Sequence, residues 1–274
     1  MASRILILLL FITASGFAQH PLLHWGNIML NDTLAQNRLE AGAQFEKVLD
    51  SILNRPDAWS QRLDTLRTFS SLTSPDERFK LMTWNIPLPD GQFQFHGRIL
   101  CSSKWKEAPA MVTKLTDASP NLQKAGTKVL STKEWYGALY YSMCLHQYKK
   151  QRYYTVLGWD GNSPFSNKKI IDVLIVGADG QFHFGAPIFD DGKRLRHRIF
   201  FEYAEQATMS LRYQPKSERI IFDHLAPSQP SYEGMYEFYS PDFTTDAYHF
   251  EKGKWKLEIN YEARNEQDFE NRSK

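Results

Sequence analysis

The side chains able to do chemistry are spread along the chain rather than gathered in a signature. Eight histidines occur, at 20, 24, 96, 146, 183, 197, 224 and 249. No two stand at the close spacing of metal ligands within a predicted strand or helix. His20 and His24 fall in a short segment read as mobile. Neighbouring strands bringing His183, His197 and Asp223-His224 together would make a metal site, yet the sequence favours none and implies no cofactor. Asp160-Gly161-Asn162 and Asp190-Asp191-Gly192 are oxygen-rich, but Asp and Asn beside Gly are also what ordinary turns need. A hydrolase would need Asp160, Asp190 and Asp223-His224 to converge across strands. No Gly-x-Ser-x-Gly elbow and no phosphate-cradling glycine loop is present. Whether the protein is an enzyme stays open, leaning against one. Aromatic rings are the stronger lead. Tyr136, Tyr140, Tyr141, Tyr148, Tyr153, Tyr154 and Trp159 crowd one predicted hairpin; Tyr232, Tyr236, Phe238 and Tyr239 crowd one predicted loop. Trp159, Tyr232, Tyr236 and Tyr239 are the ligand-binding candidates, since aromatic faces stack on sugars or line apolar cavities. The basic run Lys149, Lys150 and Arg152 reads as a solvated hairpin tip in preference to a phosphate or lipid-headgroup site.

Composition narrows the classes. The 274 residues carry 33 basic and 31 acidic side chains, a net charge of +2, too small for a nucleic-acid footprint. Hydrophobic residues at 42% and charged residues at 23% belong to a globular chain. Two cysteines exclude a disulfide-dense miniprotein or a four-thiolate zinc site. The partner left open is a small molecule or a glycan.

The elements that must position these residues follow from periodicity. Met1 to Arg4 is a short basic start, Ile5 to Ile12 an unbroken apolar run, and Gly16-Phe17-Ala18 carries small residues where a signal peptidase reads. Residues 1–18 are therefore expected to be a signal peptide, too short to span a bilayer as an anchor. The protein is expected to be exported, periplasmic or secreted, with no transmembrane span after cleavage. In an oxidising compartment Cys101 and Cys144 are permitted a disulfide, worth roughly 4 kcal/mol; two buried free thiols are the alternative. A helix is predicted over about 33–54. It starts at a Thr33-x-x-Gln36 capping box and carries Ala41, Phe45, Val48, Leu49, Ile52 and Leu53 on one stripe. From about residue 66 the period falls to two. Short Phe-, Tyr-, Ile-, Val- and Thr-rich runs alternate with turns such as Pro89-Asp90-Gly91 and Asp179-Gly180. Ile170–Val176 is apolar enough to be covered on both faces. Residues 226–246 read as a long Pro/Ser/Tyr-rich connection, and 263–274 as a charged tail. The fold expected is mainly β, an antiparallel meander closed into a barrel or folded into a sandwich. It carries one N-terminal amphipathic helix, in a single domain over 19–262.

Several strings, in order, resemble a family of exported proteins from Bacteroidota-type bacteria. They are Ser74-Pro75-Asp76, Thr83-Trp84-Asn85, Leu157-Gly158-Trp159-Asp160-Gly161-Asn162, Asn167-Lys168-Lys169, Phe184-Gly185-Ala186-Pro187, Phe222-Asp223-His224 and Tyr239-Ser240-Pro241-Asp242-Phe243. The resemblance covers about residues 60–262. It implies a compartment and a lineage, and no catalytic residues. The reading that results is an exported, soluble β protein with a non-enzymatic binding or envelope-associated role. A hydrolase built across strands, or a carrier of a lipid or apolar ligand in a hollow barrel, are the alternatives.

Overall fold

The computed structural model describes residues 15–63, 69–108 and 110–262. The basic start and apolar run of the expected signal peptide, and the charged tail, lie outside the described residues. The chain divides into two compact units, residues 1–63 and 64–274, where one domain over 19–262 was expected.

The first unit is helical. Helix α1 (Ser15–Asn31) runs through the segment read as mobile and includes residues 20 and 24. Helix α2 (Ala35–Leu53) is the predicted amphipathic helix. The capping box does not form. Leu34 holds the N-cap position without a side-chain cap, and Asp32 Oδ1 instead accepts the Leu34 N–H at 2.8 Å and Asn37 Nδ2 at 3.1 Å. The two helices pack on each other. Leu22 and Met29 of α1 are buried, as are Ala41, Phe45, Leu49, Ile52 and Leu53 of α2.

The second unit is mainly β. Its first sheet is a meander of β1 (Phe69–Thr73), β2 (Phe79–Pro87), β3 (Phe93–Cys101) and β4 (Val112–Thr116). Next along the chain come β5 (Leu130–Ser131), β6 (Leu139–Tyr148), β7 (Gln151–Asp160), β8 (Ser166–Val176) and β9 (Phe182–Phe184), which form a second sheet in the order β5-β9-β8-β7-β6. Two short strands, β10 (Phe189–Asp190) and β11 (Leu195–Arg196), leave that sheet, and β12 (Ile199–Ala204) returns to it beside β8. Finally β13 (Leu211–Gln214), β14 (Arg219–Pro227), β15 (Tyr239–Glu251) and β16 (Lys254–Glu258) build a third sheet, ordered β11-β10-β16-β15-β14-β13. Neighbours are antiparallel except β10 and β16, which pair in parallel through Phe189 and Trp255.

The fold is mainly β with a half-barrel sheet, and the second sheet is its middle layer, with a core packed on each face. Alternation dictates this. From β7 and β8, Tyr154, Val156, Ile170 and Leu174 join a core with Phe79, Leu81, Phe95 and Ile99 of the first sheet. Leu157, Ile171 and Val173 point the other way, into a core with Phe189, Ile220, Phe222, Tyr248 and Trp255 of the third. Each such side chain contributes roughly 1.5–3 kcal/mol on burial. β8 is thus covered on both faces, as its apolar run predicted. Side chains fill both cores, so the hollow interior that a lipid carrier requires is replaced by packing. The connection expected over 226–246 is about half sheet: β14 extends to Pro227, two 3-10 turns follow (Pro230–Tyr232 and Tyr236–Phe238), and β15 starts at Tyr239.

One buried ion pair braces the middle layer. Arg198 and Asp172 are both inaccessible to solvent. Arg198 Nε donates to Asp172 Oδ2 at 3.0 Å. Its terminal nitrogens donate to the carbonyls of Ala125, of Lys128 at 3.2 Å and of Phe184 at 3.0 Å. Asp172 also accepts from the Val173 N–H at 2.7 Å and from Tyr140 Oη at 3.4 Å. Gly185 makes room for this. Its φ is +90°, and a β-carbon there would sit 2.7 Å from both Arg198 Nη2 and the Lys128 carbonyl oxygen.

Candidate functional site

The hairpin Ser74–Arg78 is ordered by its own side chains. Ser74 Oγ accepts the N–H groups of Arg78 and Phe79 at 2.9 and 3.1 Å and donates to Asp76 Oδ1 at 3.0 Å. Glu77 takes the left-handed conformation the turn requires, with φ +54°. The result is a carboxylate held in place, and Asp76 Oδ2 gathers three groups: Tyr154 Oη donates to it at 2.8 Å, while Arg78 Nε and Arg152 Nε lie 3.4 and 3.6 Å away. Both arginines are about one-third exposed, so these pairs orient more than they stabilise. Their terminal nitrogens have no acceptor among the described residues.

An aromatic floor lies beneath. Tyr154 meets Phe79 edge-on at 4.7 Å, Phe79 meets Phe182 at 5.5 Å, and Phe182 meets Trp105 at 5.9 Å. Trp105 is fixed by a turn in which its N–H donates to the Ser102 carbonyl at 3.0 Å and the Ser102 N–H reaches the Arg78 carbonyl at 2.7 Å. The Arg78 guanidinium carbon stands 5.3 Å from the Trp105 ring centre, a cation–π contact. Burial first, then the hydrogen bond to Asp76, holds the Tyr154 phenol well above its ordinary range, so it stays a donor.

Arg78, Trp105, Arg152 and Tyr154 line a surface cleft of about 480 Å³, completed by Glu107, Lys150 and Gly180. It lies where the β1–β2, β6–β7 and β8–β9 hairpins converge. Three cations line it against Glu107 in the wall and Asp76 behind the arginines, a net excess of one positive charge, so it attracts anions. A planar guanidinium with free terminal N–H groups binds carboxylate, sulfate or phosphate in bidentate fashion, and a ring beneath offers a stacking surface.

The candidates from sequence lie elsewhere. The Asp160 carboxylate is buried, which pushes its protonation upward; it accepts Tyr136 Oη at 2.9 Å and the Asn162 N–H at 2.9 Å. Asp190 accepts the Gly192 N–H at 3.0 Å and pairs with Lys254 at 3.5 Å. Asp223 holds the Ser210 N–H at 2.7 Å. His224 Nδ1 meets Asp246 Oδ2 at 2.8 Å. Asp160, Asp190 and Asp223-His224 stand on three strands, β7, β10 and β14, each is engaged locally, and none of them lines either this cleft or a second one at Phe93. His183 is occupied by Asp179 at 2.8 Å, and among the described residues no three metal-ligating side chains gather.

Trp159 is half-buried against Phe93 at 5.2 Å. Phe93, not Trp159, lines a second cleft of about 300 Å³. Tyr232 stacks on Phe238 at 4.2 Å, and Tyr236 meets Tyr239 in a tilted contact at 5.1 Å, outside both clefts. Cys101 and Cys144 are free thiols in different cores, so the permitted disulfide is not formed. Burial pushes them up to about 11 and about 12, which leaves neither as a reactive thiolate.

The cleft was missed because its three parts are remote in sequence. One signal was present: the run Lys149–Arg152 and the Ser-Pro-Asp string both sit at hairpin tips. Only the sheet order shows that these tips meet. Among the described residues no helix is long and apolar enough to cross a membrane. Comparison with protein-family models, with curated proteins and with solved structures finds no match to this chain.

Proposed function

We propose that this protein is an exported, non-enzymatic binding module that captures an anionic small molecule or an acidic glycan in the cleft between Arg78 and Arg152. The observation that carries the reading is the pair of guanidiniums anchored through Nε on Asp76, with their terminal donors uncommitted above an aromatic floor. Titration calorimetry with inorganic sulfate, inorganic phosphate, glucuronate and glucose tests it. Binding of the anions but not of glucose is expected, weakened about tenfold or more by Arg78→Met or Arg152→Met. Equal affinity in wild type and both variants, or equal binding of glucose, overturns it.

Export is supported by the basic start, the apolar run and the resemblance to exported proteins. Pro21 fits as well. If cleavage precedes Gln19, the proline lies in the first turn of α1, where its missing N–H leaves no hydrogen bond unmade. N-terminal sequencing of protein recovered outside the cytoplasm of its native host is expected to begin at Gln19; a chain beginning at its initiator Met overturns the export reading.

A further inference from the structure

The end of the β14–β15 ribbon shows its aromatics rather than burying them. The rings of Tyr236 and Phe238 are 44% and 37% exposed, and Met235 beside them is 43% exposed. This is a built surface. The Ser228 N–H donates to the Phe238 carbonyl at 3.0 Å, and the Gly234 N–H to Tyr239 Oη at 3.0 Å. Nearby, the ladder breaks. Leu225 pairs with Pro241 and Asp223 with Thr245, so Asp242, Phe243 and Thr244 together face His224 alone. Asp242 Oδ1 pins this bulge by accepting the Thr244 N–H at 2.9 Å and Thr244 Oγ1 at 2.7 Å. At its tip Phe243 is fully exposed with φ +71°. A bulky residue in the left-handed region is strained, and this ring gains no packing within the chain to offset the strain.

The ribbon end itself carries formal charge of one sign; His224 opposite the bulge is paired with Asp246, and Lys168 is paired with Glu202 at 3.6 Å. From Ile220 to Glu251 there is no lysine or arginine, whereas Glu233, Glu237 and Asp242 lie among the rings and are exposed. The strand packed against the Tyr236–Phe238 turn is β12, whose only charge is Glu202. Aromatic faces interleaved with carboxylates hold guanidinium and ammonium groups by cation–π and ionic attraction together. The same acids repel an anionic membrane surface.

We infer that this ribbon end, Tyr232 to Thr244, is a docking surface for an arginine- or lysine-bearing segment of a partner protein. Phe243 is its apolar anchor, and Glu233, Glu237 and Asp242 are its anionic rim. The surface is separate from the cleft at Asp76 and does not depend on the function proposed for it.

Fluorescence anisotropy with a labelled peptide of alternating arginine and glycine tests the inference, against the same peptide with citrulline or glutamate for arginine. The arginine peptide is expected to bind, more weakly as salt rises, and the other two not. Phe243→Gly and Glu237→Gln should each weaken binding by about tenfold, while Arg152→Met leaves it unchanged. Phe243→Gly keeps the backbone angle and removes only an exposed ring, so it folds. No binding of the arginine peptide, equal binding of the citrulline peptide, or indifference to both ribbon substitutions overturns the inference. So does Phe243-dependent sedimentation with phosphatidylcholine vesicles, which assigns the surface to a bilayer, or Phe243-dependent self-association in sedimentation velocity, which assigns it to a second copy.

Discussion

Two carboxylate–arginine clusters in this protein use the same chemistry to opposite ends. In the middle layer Arg198 engages Asp172 and three carbonyls, so Nε and both terminal nitrogens have acceptors. At the cleft, Arg78 and Arg152 share Asp76 through Nε alone. Burial makes the difference. A guanidinium removed from water must find every partner inside the protein, because each unsatisfied donor costs free energy; a hydrated one has water as a partner, which a ligand can displace. A saturated cluster stabilises the fold and has no capacity for a ligand. An anchored but unsaturated one costs the fold little and keeps that capacity. The number of uncommitted donors separates a brace from a binding site better than the presence of an ion pair does.

The sharpest way to break this contrast is to delete one arginine from each cluster. Arg198→Met leaves Asp172 as an uncompensated buried charge and should cost about 3–5 kcal/mol in denaturant unfolding; a loss under about 1 kcal/mol would remove the distinction. Acid comes next. Burial, and then the charge of Arg198, lower the affinity of His197 for a proton below that of a free imidazole. The unfolded chain therefore takes up the proton first. Stability should be complete above about pH 6.5 and decline as pH falls from there towards the folded-state value. His197→Gln should flatten that decline when unfolding is followed across the range; an unchanged pH profile would show that the fold does not disfavour the charged form of His197. Smallest is the effect on stability of Arg152→Met, within about 1 kcal/mol, in the same protein whose anion affinity falls about tenfold.

Much of the β unit could be read from residue order. Ile170–Val176, apolar enough to be covered on both faces, lies in β8 between the two cores. Turn chemistry marks its end: Asp179-Gly180 sits between β8 and β9, where Gly180 has φ +73°. Three things could not be read. Thr33-x-x-Gln36 has the form of a helix start, but the local acceptor is Asp32, one residue earlier, which takes the Leu34 N–H and Asn37 Nδ2. Pro and Ser made 226–246 look irregular, although a ribbon with a bulge accommodates both. The cleft depends on which hairpin tips meet, and that is set by contacts far apart in sequence. The rings near Trp159 looked functional because Tyr and Trp serve cores and ligands alike. Their neighbours decided it: Tyr136 binds Asp160, Tyr140 binds Asp172, and Tyr154 lines the cleft beside Asp76.

The parallel pairing of β10 with β16 bears on the order in which the molecule is made. Trp255 donates from Nε1 to Thr155 Oγ1 at 3.0 Å and from its backbone N–H to the Ile188 carbonyl at 2.7 Å, tying the last strand to segments synthesised long before it. Until the ribosome has passed that tryptophan, the cover of Phe189 and of the outward face of the middle sheet is incomplete. Nascent chains of this protein stay open late, and pairings between such distant residues make for slow acquisition of the native state.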